Sequence, residues 1–211
     1  MRMKYSNLNK LIETHDLILA SGSPRRVKLL TEAGIPFKQL IPLINENDSN
    51  NSGPIDMATK LALKKAEAVK NNLLANQIAL GCDTIVVIEN EMLGKPSGKD
   101  EAFEMLSKLS GKCHIVCSAV SLVSVRLKPV TGYELTNVYF NDIAPDKIRE
   151  YIDSGEPLDK AGGYGIQGVG GFLVDRIEGN LDNVIGLPMS LLNKLAGQVL
   201  KNEERDGQLS Y

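Results

Sequence analysis

The chain has 211 residues, with 24 Lys and Arg against 26 Asp and Glu, a formal net charge of −2, 43% hydrophobic and 24% charged residues. The near-balanced charge offers no footprint for general nucleic-acid binding, and no run approaches the roughly 18 consecutive apolar residues of a membrane span. Composition therefore excludes a helical membrane protein, a disordered chain and a disulfide scaffold, and leaves function to local motifs.

In chain order, the opening MRMKYSNLNKLIETH lacks an apolar core segment, is expected not to be a secretory signal, and forms an N-terminal extension (1–15) with no assigned role. DLILAS (16–21) predicts a buried strand, and a helix follows over 24–33, stopped by Gly34. FKQLIPL (37–43) predicts a second strand, and the polar run 45–54 a loop. Over 55–74, Ala58, Leu61, Ala62, Ala66, Val69 and Leu73 fall on one face of a long helix. IALGCDTIVVIE (78–89) predicts a strand that turns at Asn90-Glu91, and 99–109 a helix ended by Gly111. Strands over 113–127 and 130–141 and a helix from Pro145 to about residue 154 come next.

Residues 155–186 hold nine of the 19 glycines and predict a loop-dominated segment with one strand near 172–177. A last amphipathic helix covers 187–200, and 201–211 reads as a polar C-terminal tail. The alternation gives an α/β or α+β class without fixing the topology.

Cys82, Cys113 and Cys117, with His15 and His114, make up the cysteines and histidines. The run Cys113-His114-Ile115-Val116-Cys117 resembles a metal cluster, yet it lies in a β-branched, strand-forming stretch. On a strand the two thiols lie about 13 Å apart on one face, with His114 on the other. That spacing fits neither a disulfide nor a shared zinc ion, so buried, inert thiols are expected. So low and odd a cysteine count suits the cytoplasm.

Four features carry chemistry. In Ser21-Gly22-Ser23-Pro24-Arg25-Arg26, Ser23 is placed to cap a helix that Pro24 opens, and two arginines occupy a first turn where acids are usual. Such a turn either binds a phosphate or is simply solvated. Asp83-Thr84 lies inside an apolar strand, where the carboxylate either caps a turn or holds a cation and activates water. Glu46 is either a companion carboxylate or an exposed loop acid.

Lys65 falls on the apolar stripe of its helix, and Lys95 is fixed by Pro96; each either snorkels or meets an anion. Finally, DKAGGYGIQG (159–168) either lets backbone approach a flat ligand, with Gln167 able to read a nucleobase edge, or is a flexible surface loop.

LASGSPRRVKLL, GCDTIVVIENEMLGKP, LSGKCHIV, SGEPLDKAGGYGIQG and NVIGLP occur in that order, and together they resemble the Maf family of nucleoside triphosphate pyrophosphatases over about residues 17–195. The resemblance implies one cytoplasmic α/β Maf/ITPase-like domain (16–200), a mixed twisted sheet flanked by helices, with two lobes around a nucleotide cleft. It also implies hydrolysis of the α–β phosphate bond, giving monophosphate and pyrophosphate, with a divalent cation, Mg²⁺ or Mn²⁺. On the family's pattern Asp83 is the proton acceptor, and Asp83 with Glu46 the metal ligands. Ser21, Ser23, Arg25 and Arg26 fall on its phosphate motif, and Lys65 and Lys95 on its two polyphosphate lysines.

Arg25, Thr84 and Gln167 match the branch acting on dTTP and UTP; the branch acting on 7-methyl-GTP tends to carry Trp, Gln and Glu there. Two positions depart from the pattern: Asn45 replaces an acid beside Glu46, and Leu181 a frequent aromatic. The expected partner is the nucleotide, with no stable nucleic-acid binding and no membrane, and with room for a homodimer. The alternatives are a 7-methyl-GTP pyrophosphatase, or a non-catalytic nucleotide sensor acting in cell division.

Overall fold

The computed structural model describes residues 4–45 and 53–208. The elements run α1 (Ser6–Thr14), β1 (Asp16–Ala20), α2 (Pro24–Glu32), β2 (Lys38–Gln39), α3 (Pro54–Glu67), β3 (Gln77–Ile88) and β4 (Glu91–Leu93). They continue as α4 (Lys99–Leu109), β5 (Cys113–Ser124), β6 (Val130–Phe140), α5 (Pro145–Asp153), β7 (Val174–Glu178), α6 (Leu181–Ile185) and α7 (Met189–Gln208). The sheet orders its strands β2-β1-β3-β5-β6-β7, with β4 beside β3. It is mixed: β1 pairs in parallel with β2 and β3, while β4 and β7 pair antiparallel to β3 and β6. The class is thus α/β.

The chain divides into two compact units. The first comprises residues 1–83, 118–134 and 186–211; the second, 84–117 and 135–185. In the first, one cluster joins Leu8 and Leu11 of α1 to Leu19, Leu80, Leu122 and Leu192, Leu195 and Val199 of α7. A smaller cluster seats Ala66, Val69 and Leu73 on Ile18, Ala20 and Ala79. In the second, Val86, Ile88, Leu106, Leu109, Val138, Phe140, Ile148 and Tyr151 form the core. Burying such side chains contributes roughly 1.5–3 kcal/mol each.

Several elements differ from the sequence expectation for local reasons. The predicted strand 37–43 is reduced to Lys38–Gln39, because Pro42 cannot donate to a ladder and Ile41 and Leu43 stay exposed. The predicted helix 55–74 starts at Pro54 and stops at Glu67. A 3-10 turn over Lys70–Asn72 then keeps Val69 and Leu73 buried, so the apolar periodicity outlives the helix. The β3–β4 turn sits at Glu89-Asn90, both at positive φ, one residue earlier than expected. β7 begins at Val174 rather than 172.

At the C-terminal end α7 continues helically through residues expected as a tail, to Gln208. Its partner is α1, in the stretch given no role from sequence. Asn193 Oδ1 accepts the Asn7 and Leu8 N–H groups at 3.0 Å each, satisfying donors of α1's first turn. His15 Nε2 lies 2.9 Å from Glu203. A Cβ at Gly197 would meet Asn7 Nδ2 at 2.7 Å, so the glycine admits α1.

All three cysteines are free thiols, and Cys82 and Cys117 are buried as expected. Cys113 is exposed instead, since it opens β5 where the strand's burial alternates before the core begins.

Candidate active site

The first unit carries Ser21, Ser23, Arg25, Arg26, Lys65 and Asp83. β1 delivers Ser21 at its end and α2 starts just beyond it. Ser23 occupies the N-cap position with extended backbone, but its side chain makes no capping bond, and no acid stands in the first turn. What orders this turn is Ser21, whose hydroxyl oxygen accepts the Ser23 N–H at 3.2 Å and an Arg26 Nη1–H at 2.9 Å. Arg26, 8% exposed, also donates from Nε to the Gly186 carbonyl at 2.9 Å. Gln39 donates to the Ser21 carbonyl at 2.7 Å. Arg25 is half-buried on the same turn.

Asp83 lies on β3 and Lys65 on α3, and a glycine brings them together. A Cβ at Gly81 would meet the Ala62 carbonyl oxygen at 2.1 Å and the Ala66 nitrogen at 2.7 Å, so α3 rests directly on bare strand backbone. Two residues on, Lys65 Nζ lies 2.6 Å from Asp83 Oδ1, with the side chains only 12% and 9% exposed. A charge pair so buried is held by mutual contact rather than by water. Burial pushes the intervening Cys82 thiol up to about 11, against the opposing pull of the Arg26 and Lys65 cations. Arg26, Lys65 and Asp83 therefore gather round one stretch of β3. The lysine on the apolar stripe meets an anion, and it is this carboxylate. Neighbouring Lys64 instead reaches the Asn45 carbonyl at 2.7 Å.

The second unit carries Thr84, Lys95 and Gln167. Thr84 is half-buried on β3; Lys95 is exposed just after β4. The Gly162 N–H donates to the Gly94 carbonyl at 2.9 Å, which fastens the glycine-rich run beside Lys95. Gly162 and Gly163 are both at φ +69°, a conformation other residues avoid. Tyr164 is buried and lies 2.7 Å from His114 Nε2 through its hydroxyl. Gln167 then stands exposed at the outer part of the loop. The segment is thus anchored rather than free.

Its inner wall is aromatic. His114, Phe140 and Tyr164 meet edge-to-face at 4.8–5.3 Å between ring centres. Burial lowers the His114 pKa to about 4 and raises the Tyr151 and Tyr164 phenols well above their usual range. At neutral pH this wall is uncharged.

Comparison with known proteins adds the decisive observation. The model of one family, described as Maf-like protein, matches residues 16–199. This chain belongs to the Maf family. A Bacillus cereus (strain G9842) protein named dTTP/UTP pyrophosphatase is 49% identical over 176 residues, covering 83% of this chain and 91% of its own. A Bacillus anthracis (strain CDC 684 / NRRL 3495) protein of the same name matches to the same extent. Among solved structures, the Staphylococcus aureus Ham1 protein is similar at a TM-score of 0.44 and 12% identity, over 60% of this chain and 72% of that one.

For a Maf protein a divalent cation is implied. Glu46 lies outside the described residues, and among those described no group of three or more His, Cys, Asp and Glu side chains could hold a metal ion. Asp83 is the described carboxylate of the expected pair, and its Oδ1 is engaged by Lys65 at 2.6 Å; Mg²⁺ commonly takes one or two carboxylates together with substrate phosphates. No described helix is long and apolar enough to cross a membrane. The residues that sequence reasoning missed are scaffolding: Gln39, Gly81, Tyr151, Glu156 and Gly186. Gly81, one glycine in an apolar strand, carried a readable signal of close backbone approach, while Gly186 lies within NVIGLP and Glu156 within SGEPLDKAGGYGIQG; Gln39 and Tyr151 carried none.

Proposed function

We propose that this Maf protein hydrolyses dTTP and UTP between the α- and β-phosphates, releasing the nucleoside monophosphate and pyrophosphate. The observation that carries the reading is the buried pair of Lys65 on α3 and Asp83 on β3, in a chain about half identical to proteins named for this activity. In this reading Asp83 takes the proton of the attacking water, and Lys65 holds the carboxylate's orientation. The bond from phosphorus to the bridging oxygen breaks, and negative charge builds on the departing pyrophosphate.

Ser21, Ser23, Arg25 and the uncapped start of α2 bind phosphate oxygens, and the family pattern gives Lys95 a phosphate-binding role as well. Arg26, already bonded to Ser21 and Gly186, adds positive potential from inside the turn and keeps the serine hydroxyl in place. A Mg²⁺ or Mn²⁺ ion on Asp83, with Glu46, would supply charge neutralisation to the triphosphate. Arg25, Thr84 and Gln167 set the choice of base. The reaction is placed in the cytoplasm, where free thiols persist, and a homodimer is the expected assembly.

The test is pyrophosphate release by the purified chain from dTTP, UTP, CTP, 7-methyl-GTP and ATP, with Mg²⁺, Mn²⁺ or EDTA. Metal-dependent turnover of dTTP and UTP, with monophosphate as co-product, is expected. A preference for 7-methyl-GTP would overturn the assignment of Arg25, Thr84 and Gln167 while leaving the reaction. Nucleotide binding without turnover would overturn the reaction itself.

A further inference from the structure

We infer that Tyr151 and Glu156 are positioning residues for base selection, clamping the glycine-rich loop at two points equidistant from Gln167. This inference rests on the reading of Gln167 as the group that reads the base.

All the contacts lie within the second unit. The Tyr151 hydroxyl donates to Glu156 Oε1 at 3.1 Å and accepts the Gly165 N–H at 3.1 Å. Glu156 Oε2 accepts the Val169 N–H at 3.1 Å. The clamp thus grips the backbone two residues before Gln167 and two residues after it. With its phenol kept protonated by burial, Tyr151 can make both bonds at once.

The loop lies so close to the clamp that side chains are excluded. A Cβ at Gly165 would meet Glu156 Oε1 at 2.8 Å, and one at Gly170 would meet the Tyr151 hydroxyl at 2.6 Å. The clamp is itself braced. Tyr151 is 1% exposed at the end of α5 and stands edge-on to Phe172, and the Glu156 carbonyl accepts Lys160 Nζ at 2.6 Å. Gln167 makes no hydrogen bond to either clamp residue; it stands on a span of four peptide units whose two ends are tied. An amide that reads a base by donor and acceptor works only if its backbone is fixed, since a misplacement of about 1 Å can cost 100-fold in rate.

Tyr151→Phe removes the hydroxyl and keeps the ring on Phe172. Glu156→Gln keeps the size and replaces one acceptor oxygen by a donor. With Gln167→Ala alongside, each variant is assayed for kcat and KM on dTTP and dGTP, for melting temperature, and for amide exchange at Gly165 and Val169. For both clamp variants the Gly165 or Val169 amide should exchange faster. The ratio of kcat/KM for dTTP over dGTP should fall by about fivefold, the worth of one net hydrogen bond, with KM for dTTP moving more than kcat.

Faster exchange with an unchanged ratio overturns the inference. So does an equal loss on both nucleotides that tracks a fall in melting temperature, which is the signature of a merely structural role. If Gln167→Ala shifts the ratio and the clamp variants do not, the inference alone falls. If Gln167→Ala leaves the ratio intact at undiminished turnover, the base-reading assignment falls and takes the clamp with it.

Discussion

At the scale of single residues, two of the molecule's polar pairs are of very different kinds. Lys65–Asp83 is an ion pair between α3 and β3; His114–Tyr164 is neutral and ties the glycine-rich loop to β5. Asp83→Asn keeps the shape but removes the carboxylate proposed as proton acceptor, and kcat should fall at least 100-fold in the pyrophosphate assay, about the lower end of what a general base contributes. Retained activity would remove Asp83 from its role.

His114 makes a separate prediction on stability. Its pKa is about 4 when folded against an ordinary 6.5. Between these values the unfolded chain binds a proton that the folded chain refuses. Stability from this group is complete above pH 6.5, falls as the pH drops, and is fully lost below about 4, by about 3 kcal/mol in all. Urea midpoints from pH 7 to 4 should therefore fall less steeply in His114→Asn than in the parent chain.

At the scale of elements, close approach of backbones decides what the side chains can do. α3 meets β3 at Gly81, where no Cβ fits, and that contact fixes the reach from Lys65 to Asp83. Gly81→Ala should push the helix off the strand, lowering the melting temperature and reducing kcat well over tenfold. Circular dichroism melts and turnover of the same sample measure both, and an alanine tolerated in each would show that the contact gives way freely.

The same example shows what a sequence displays and what it hides. Asp83 was legible as an odd residue because a carboxylate amid Ile, Leu and Val is conspicuous, and Lys65 because it broke an apolar stripe. That each is the other's partner was not legible, since the pairing depends on a helix-to-strand register that no periodicity encodes. Neither Tyr151 nor Glu156 showed a role: a tyrosine on an amphipathic helix and an acid before a proline, even one inside a family motif, are ordinary until the loop folds back onto them. Most strands and helices were found within a few residues of their ends. The failures at β2 and the two ends of the chain came where an edge strand is broken by proline or where a helix owes its existence to a neighbour, and β4 and α6 were missed because elements of three and five residues show no period.

At the scale of the whole chain, the family match stops at residues 16–199, while the core of the first unit extends beyond it. Leu8 and Leu11 of α1 are 0% and 1% exposed, and Asn193 of α7 closes the start of α1. Removing residues 1–15 should destabilise the protein by about 4 kcal/mol, the loss of two buried leucines, without abolishing pyrophosphate release at 25 °C. Chemical denaturation of the truncated chain measures it; an unchanged midpoint would mean that α1 only rests on the surface.

The distribution of thiols gives the molecule a built-in probe of its own opening. One equivalent of a maleimide should couple quickly to Cys113 in the native protein, and two more only after unfolding, because Cys82 and Cys117 are buried. Cys82 adjoins Asp83 in the strand. The slow labelling rate at Cys82, read by mass spectrometry of the peptide that carries it, therefore counts how often β3 is laid bare. Saturating nucleotide should slow that count if it closes the strand from solvent.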